Sequence, residues 1–122
     1  MNENLTVNEE QDGETLTHLG PDGRARMVDV SSKDITLRRA RAACLITMSE
    51  TAFTALMEGT LPKGDAFCVA RLAGIQASKK TADLIPLCHV LPLDHAAVNF
   101  KPEPDDFSIE IESVVTARSR TG

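Results

Sequence analysis

Tryptophan and tyrosine are both absent from this chain of 122 residues, and phenylalanine occurs only four times. The aromatic faces on which proteins commonly stack bases and sugars are therefore scarce. Cysteine is scarce too. Cys44, Cys68 and Cys88 form no Cys-x-x-Cys pair, and three thiols cannot all pair within one chain. Each lies among apolar neighbours, which predicts buried, reduced thiols and a cytoplasmic setting. No apolar run is long enough to span a bilayer, so no membrane partner is expected. The opening residues, MNENLTVNEEQDGE, are polar and acidic, unlike a signal peptide. An excess of positive charge is also lacking. The net charge of −5 excludes a sleeve for nucleic acid.

What is present is a globular composition, 42% apolar, on a chain of single-domain length. The charge is unevenly spread. Residues 1–22 carry acids and no Lys or Arg, whereas Lys33 to Arg41 and Lys63 to Lys80 are rich in bases. Two basic clusters on an acidic chain suit a small anionic ligand better than a polyanion. The reading is a flexible acidic arm over 1–22, closed by a Gly-Pro-Asp-Gly turn, and one domain over 23–122.

RMVDVSS alternates Val28 and Val30 against Asp29, as a short half-buried strand does. TLRRARAACLITM fits either a strand or a helix, and the strand is favoured because Ala40, Ala42, Cys44, Ile46 and Met48 share one face at period two. A helix follows, capped by Thr47 with Glu50 or by Ser49, with Phe53, Leu56 and Met57 as its apolar stripe and Gly59 as its stop. Asp65 is the N-cap of another helix, expected to run to about Leu84. Its small residues Ala70, Ala73, Gly74, Ala77 and Ser78 allow a neighbouring element to approach closely. AAVNF and FSIEIESVVTA read as two strands joined by the turn KPEPDD, with Ile109 and Ile111 opposite Glu110 and Glu112. Nothing later in the sequence is available to cover the apolar face of that hairpin.

Several residues could carry chemistry. Lys63-Gly64-Asp65 stands before a helix N-terminus, where a lysine and free backbone N–H groups attract phosphate or carboxylate. Taken alone, such a lysine is more often a solvated surface residue. Arg71 and Lys79 lie two helical turns apart, roughly 80° around the axis, and could border one cleft. Arg38 lies opposite Arg39 and Arg41 along the proposed strand. In the segment from Asp83 to His95, Pro86 and Pro92 bracket Cys88 and His89. Adjacent residues of an extended chain diverge, which argues against a Cys–His nucleophile pair and leaves two readings of His89, a buried, hydrogen-bonded structural histidine or a ligand-contacting imidazole held between the prolines. Zinc ligation by Cys88, His89, Cys68 and His95 fails on spacing, so no metal is expected.

These pieces, in this order, resemble one family. MVDVSSKDITLRRARA followed by KGDAFCVARLAGIQASKKTADLIPLCHVLPL is closely similar to the cyclic pyranopterin monophosphate synthase family, MoaC, over about Arg24 to Gly122. The resemblance implies an α+β fold, an antiparallel sheet with helices packed on one face. It implies conversion of 3′,8-cyclo-7,8-dihydro-GTP to cyclic pyranopterin monophosphate with release of pyrophosphate, in molybdenum cofactor biosynthesis, without metal or organic cofactor. It further implies an active site at a dimer interface of a homohexamer built as a trimer of dimers. Lys63 matches a family lysine acting as acid and base. Arg38, Arg71, Lys79 and His89 match the anion-binding pocket, and Leu87-Cys88-His89 matches a substrate-binding segment, in which the prolines would hold His89 toward the ligand and Cys88 toward the core.

The chain departs from the family at Val90, where proline is usual, and again after Gly122. Family members continue there with a helix bearing Val-Glu-Met-Glu, then an Asp-Met-Cys-Lys type of run and a final strand. The expectation is thus a MoaC-like domain truncated at its C-terminal end, without that helix and strand and of reduced activity. A non-catalytic relative that kept the fold is the rival reading, and retention of Lys63 and His89 speaks against it.

Overall fold

The computed structural model describes residues 18–122. The elements run β1 (Thr36–Thr47), α1 (Glu50–Glu58), α2 (Ala66–Ser78), α3 (Thr81–Leu84), β2 (His95–Glu103) and β3 (Ser108–Ser119). The three strands form one antiparallel sheet in the order β1-β3-β2. The fold is α+β, as expected. β3 is the middle strand, with Thr36 opposite Ser119 along β1 and His95 opposite Thr116 along β2.

Alternation along these registers puts Val98 and Phe100 of β2, Ile109, Ile111, Val115 and Ala117 of β3, and Ala40, Ala42, Cys44 and Ile46 of β1 on one face. α2 packs on the β2 side of that face. Gly74 lies against Val98, and the Phe67 and Phe100 rings sit 5.2 Å apart. α2, an earlier element, thus covers the β2 side of the hairpin face, while β1 stays exposed along its whole length. On the far face Arg41 pairs with Glu112 across the strands.

Local chemistry explains most of the boundaries. The Ser49 hydroxyl accepts from Ala52 N at 3.2 Å and starts α1, and Gly59 ends it in the left-handed region at φ 68°. Phe53 fixes α1 to the hairpin turn, its ring 5.9 Å from that of Phe107. Asp65 caps α2 by accepting from Cys68 N at 3.1 Å. The helix does not continue to Leu84, however. The Thr81 hydroxyl donates to Ser78 O at 2.8 Å and Ser78 Oγ donates to Ile75 O at 2.7 Å, so side chains take carbonyls that helix amides would use. A separate turn of helix, α3, follows that break.

The strand expected at RMVDVSS is not formed. Asp29 Oδ1 instead accepts from Ser31 N at 2.9 Å and Lys33 N donates to Val30 O at 3.0 Å, which curls the segment into turns. Of the acidic arm read over 1–22, residues 1–17 lie outside the described residues. Residues 18–22 belong to a turn closed by a Leu19–Ala25 bridge. No helix among the described residues is long and apolar enough to cross a membrane.

Candidate active site

Two proline-directed turns present the residues of interest, one ahead of α2 and one after α3. In the first, Gly64 N donates to Leu61 O at 3.0 Å, with Pro62 and Lys63 at the two central positions. Gly64 has φ 91°, which a residue with a side chain would adopt only under strain. Lys63 is exposed there, just ahead of the Asp65 cap. It borders an apolar hollow of about 470 Å³ with Leu61, Pro62, Ala66, Val69 and Ala70.

In the second turn, Cys88 N donates to Ile85 O at 3.2 Å, with Pro86 and Leu87 at the centre. Ile85 is extended at φ −113° and ψ 108°, as a residue before proline should be. Leu87, Cys88 and His89 are all half-buried. A cleft of about 140 Å³ lies beside this turn, lined by Ser78 and Lys79 at the end of α2, by Cys88, His89 and Leu91, and by Val115 of the sheet. The chain turns at Ile85–Cys88 instead of running extended, so Cys88 and His89 border the same cleft. The expected division, thiol to the core and imidazole to the ligand, does not hold. The Cys88 thiol donates to His89 O at 3.4 Å. Cys44 and Cys68 are exposed, so the expectation of buried thiols is corrected as well. Among the described residues no three His, Cys, Asp or Glu side chains gather as a metal site would require.

The remaining basic residues divide between the cleft and the scaffold. Arg38 pairs in register with Ala117, on the same sheet face as the cleft-lining Val115 and two positions further along. Its Nε donates to Thr36 Oγ1 at 2.7 Å. Arg71 lies midway along α2, with Nε donating to Val98 O at 3.2 Å and the guanidinium 5.5 Å from the Phe100 ring centre. It does not line the cleft of Lys79. α2 has 13 residues, about 20 Å at 1.5 Å per residue, so Lys63 ahead of it stands roughly that far from Lys79 at its C-cap within one chain, and His89 borders the cleft of Lys79.

Sequence reasoning passed over Asp29 and Lys33, which the fold brings near the cleft. The Ser31 hydroxyl and then the Ser31 N–H hold the Asp29 carboxyl below its ordinary value, and the His89 imidazole acts in the same direction. The only signal for these residues was their place in the Met-Val-Asp-Val-Ser-Ser-Lys run.

Residues 27–122 match the family model described as "MoaC family". A cyclic pyranopterin monophosphate synthase of Chloroflexus aurantiacus is 50% identical over 107 residues, covering 88% of this chain and 66% of that protein. The synthase of the same name from Chloroflexus aggregans is also 50% identical, over 88% of this chain and 65% of that protein. A third, from Nostoc sp., is 48% identical over 88% and 64% respectively. The chain thus spans slightly under two thirds of the length of these curated relatives.

Proposed function

The chain belongs to the MoaC family, and on that premise we propose that it carries out, or forms the larger part of a protein that carries out, the cyclic pyranopterin monophosphate synthase reaction. The substrate is 3′,8-cyclo-7,8-dihydro-GTP, the products are cyclic pyranopterin monophosphate and pyrophosphate, and the setting is molybdenum cofactor biosynthesis in the cytoplasm. The names of the relatives support this reading. One observation carries it: Lys79, Cys88 and His89, brought from two elements, border a single cleft beside the sheet.

Within that reading each residue has a task. Lys79 and Arg38 bind the phosphates, where cations are favoured by the charge of the ligand. Arg71 spends Nε on Val98 O and keeps its terminal nitrogens for an anion. His89 hydrogen-bonds the substrate, and Leu87 and Cys88 shape the wall beside it. Lys63 transfers protons. Because Lys63 precedes α2 and the Lys79–His89 cleft lies beyond its C-terminal end, the complete site takes Lys63 from one copy and that cleft from another. This favours a homo-oligomer, a hexamer of three dimers in the form implied by the resemblance. The domain is read as residues 23–122, and no cofactor, metal, nucleic acid or membrane enters the reaction.

The test is pyrophosphate release from the cyclised dihydro-GTP. Release that disappears in Lys63→Ala supports the assignment. No release from a longer form that contains the chain, with the substrate demonstrably intact, overturns it.

A further inference from the structure

The loop 27–33 contributes no lining residue to the cleft, yet it meets His89 through Gly122. A Cβ built on Gly122 would lie 3.4 Å from Val28 Cβ and 3.7 Å from Cε1 of both His18 and His89. Three side chains thus surround one residue of the segment that follows β3. Lys33 Nζ donates to the carbonyl of the preceding residue, Thr121, at 3.0 Å, joining positions 88 residues apart. Among the described residues the Lys33 ammonium makes no ion pair, so this carbonyl is its recorded partner. The loop that presents Lys33 is itself fixed by the Asp29–Ser31 and Val30–Lys33 hydrogen bonds.

His89, by contrast, sits on a segment with little regular structure, just beyond the Ile85–Cys88 turn. An imidazole on such a segment has two side-chain torsions to fix, and neighbouring packing must fix them. Gly122 lies against the imidazole, and the residue before it is the one that Lys33 holds.

We propose that Lys33 is a positioning residue for His89, donating to the Thr121 carbonyl so that the segment after β3 is held between loop 27–33 and the imidazole. It touches no reacting atom in this role; it acts through Thr121 and Gly122. The functional meaning rests on the assignment of His89 to substrate binding, but the physical coupling does not.

The coupling is read from the imidazole Cε1–H resonances of the substrate-free chain. The three histidines, His18, His89 and His95, are assigned from their own His→Gln variants. Lys33→Met should move the His89 resonance by several linewidths and leave that of His95 in place. Lys33→Arg, whose guanidinium reaches the same carbonyl, should restore the wild-type position, and the shorter donor of Lys33→Gln should restore it only in part. A His89 resonance unmoved in Lys33→Met, with the remaining spectrum still that of a folded chain, overturns the proposal. So does a shift that Lys33→Arg fails to reverse. The readout needs no turnover, so a failed synthase assay leaves it standing. Conversely, an active enzyme with an unmoved resonance removes only the positioning role.

Discussion

Gly74 and Val98 approach so closely that a methyl group on the first would lie 2.8 Å from Cγ2 of the second. That approach seats α2 on β2, and with it the Phe67–Phe100 pair and the Arg71 hydrogen bond. Val98 is buried and β-branched, so its methyl cannot swing away. Gly74→Ala should therefore destabilise the chain. Overpacking costs about 1–3 kcal/mol, against a gain of up to about 1 kcal/mol from the better helix former. Urea midpoints should show the loss, and adding Val98→Ala should recover part of it through the freed space. A Gly74→Ala chain as stable as wild type would mean that α2 and β2 can separate without penalty.

Arg71 has a structural task that is separable from any ligand. Its hydrogen bond to Val98 O contributes about 1 kcal/mol, and its place over Phe100 about 0.5–1 kcal/mol more. Arg71→Met should lower stability by about 1–2 kcal/mol without substrate present. Arg71→Lys should recover little, because an ammonium cannot make the same planar contact. Unchanged stability in both variants, with weakened pyrophosphate binding, would assign Arg71 to the ligand alone.

The elements that were legible in the sequence are those specified by neighbouring residues. Ser49 and Gly59 bound α1, Asp65 opens α2, and the alternation of Ile109 and Ile111 with Glu110 and Glu112 marks β3. The stripe around Gly74 announced a close neighbour. What was not legible depended on competition or on distance along the chain. Ser78 and Thr81 look like ordinary helix residues until their hydroxyls take the carbonyls that break α2. Val28 and Val30 alternate like a strand, but the Asp29 and Lys33 turns hold them in a loop instead. An extended chain would send Cys88 and His89 apart, but the turn that starts at Ile85 brings both to one cleft. Lys63 carries its own local signal, yet its separation from the Lys79–His89 cleft follows only from the length of α2. The Lys33–Thr121 contact spans nearly the whole described chain and leaves no local signal.

Asp29 gives a pH dependence with a definite sign. Its carboxyl is held below the ordinary value of 3.8, chiefly by the Ser31 hydroxyl and N–H, so the folded form prefers the carboxylate. The stabilisation is present above pH 3.8 and fades as the pH falls below it toward the lowered folded value. Asp29→Asn should therefore loosen loop 27–33 near neutrality, seen as faster exchange of the Ser31 amide. The difference from wild type should shrink in acid. A difference that grows as the pH falls would contradict the assigned direction.

The separation of Lys63 from His89 gives the sharpest test of how the site is assembled. If each site takes its lysine from one copy and its imidazole from another, Lys63→Ala and His89→Ala should each abolish pyrophosphate release when purified alone. Mixed by co-expression, they should partly rescue one another. With random pairing, half of the dimers are mixed, and each mixed dimer has one intact site of two. Recovery should then approach about a quarter of the wild-type rate per copy, as the geometry of an isologous pair requires. Mixed dimers confirmed by mass but without activity would mean that both residues serve one site within a single chain. α2 would then have to bend or move to bring its two ends together, against the packing of Gly74 on Val98.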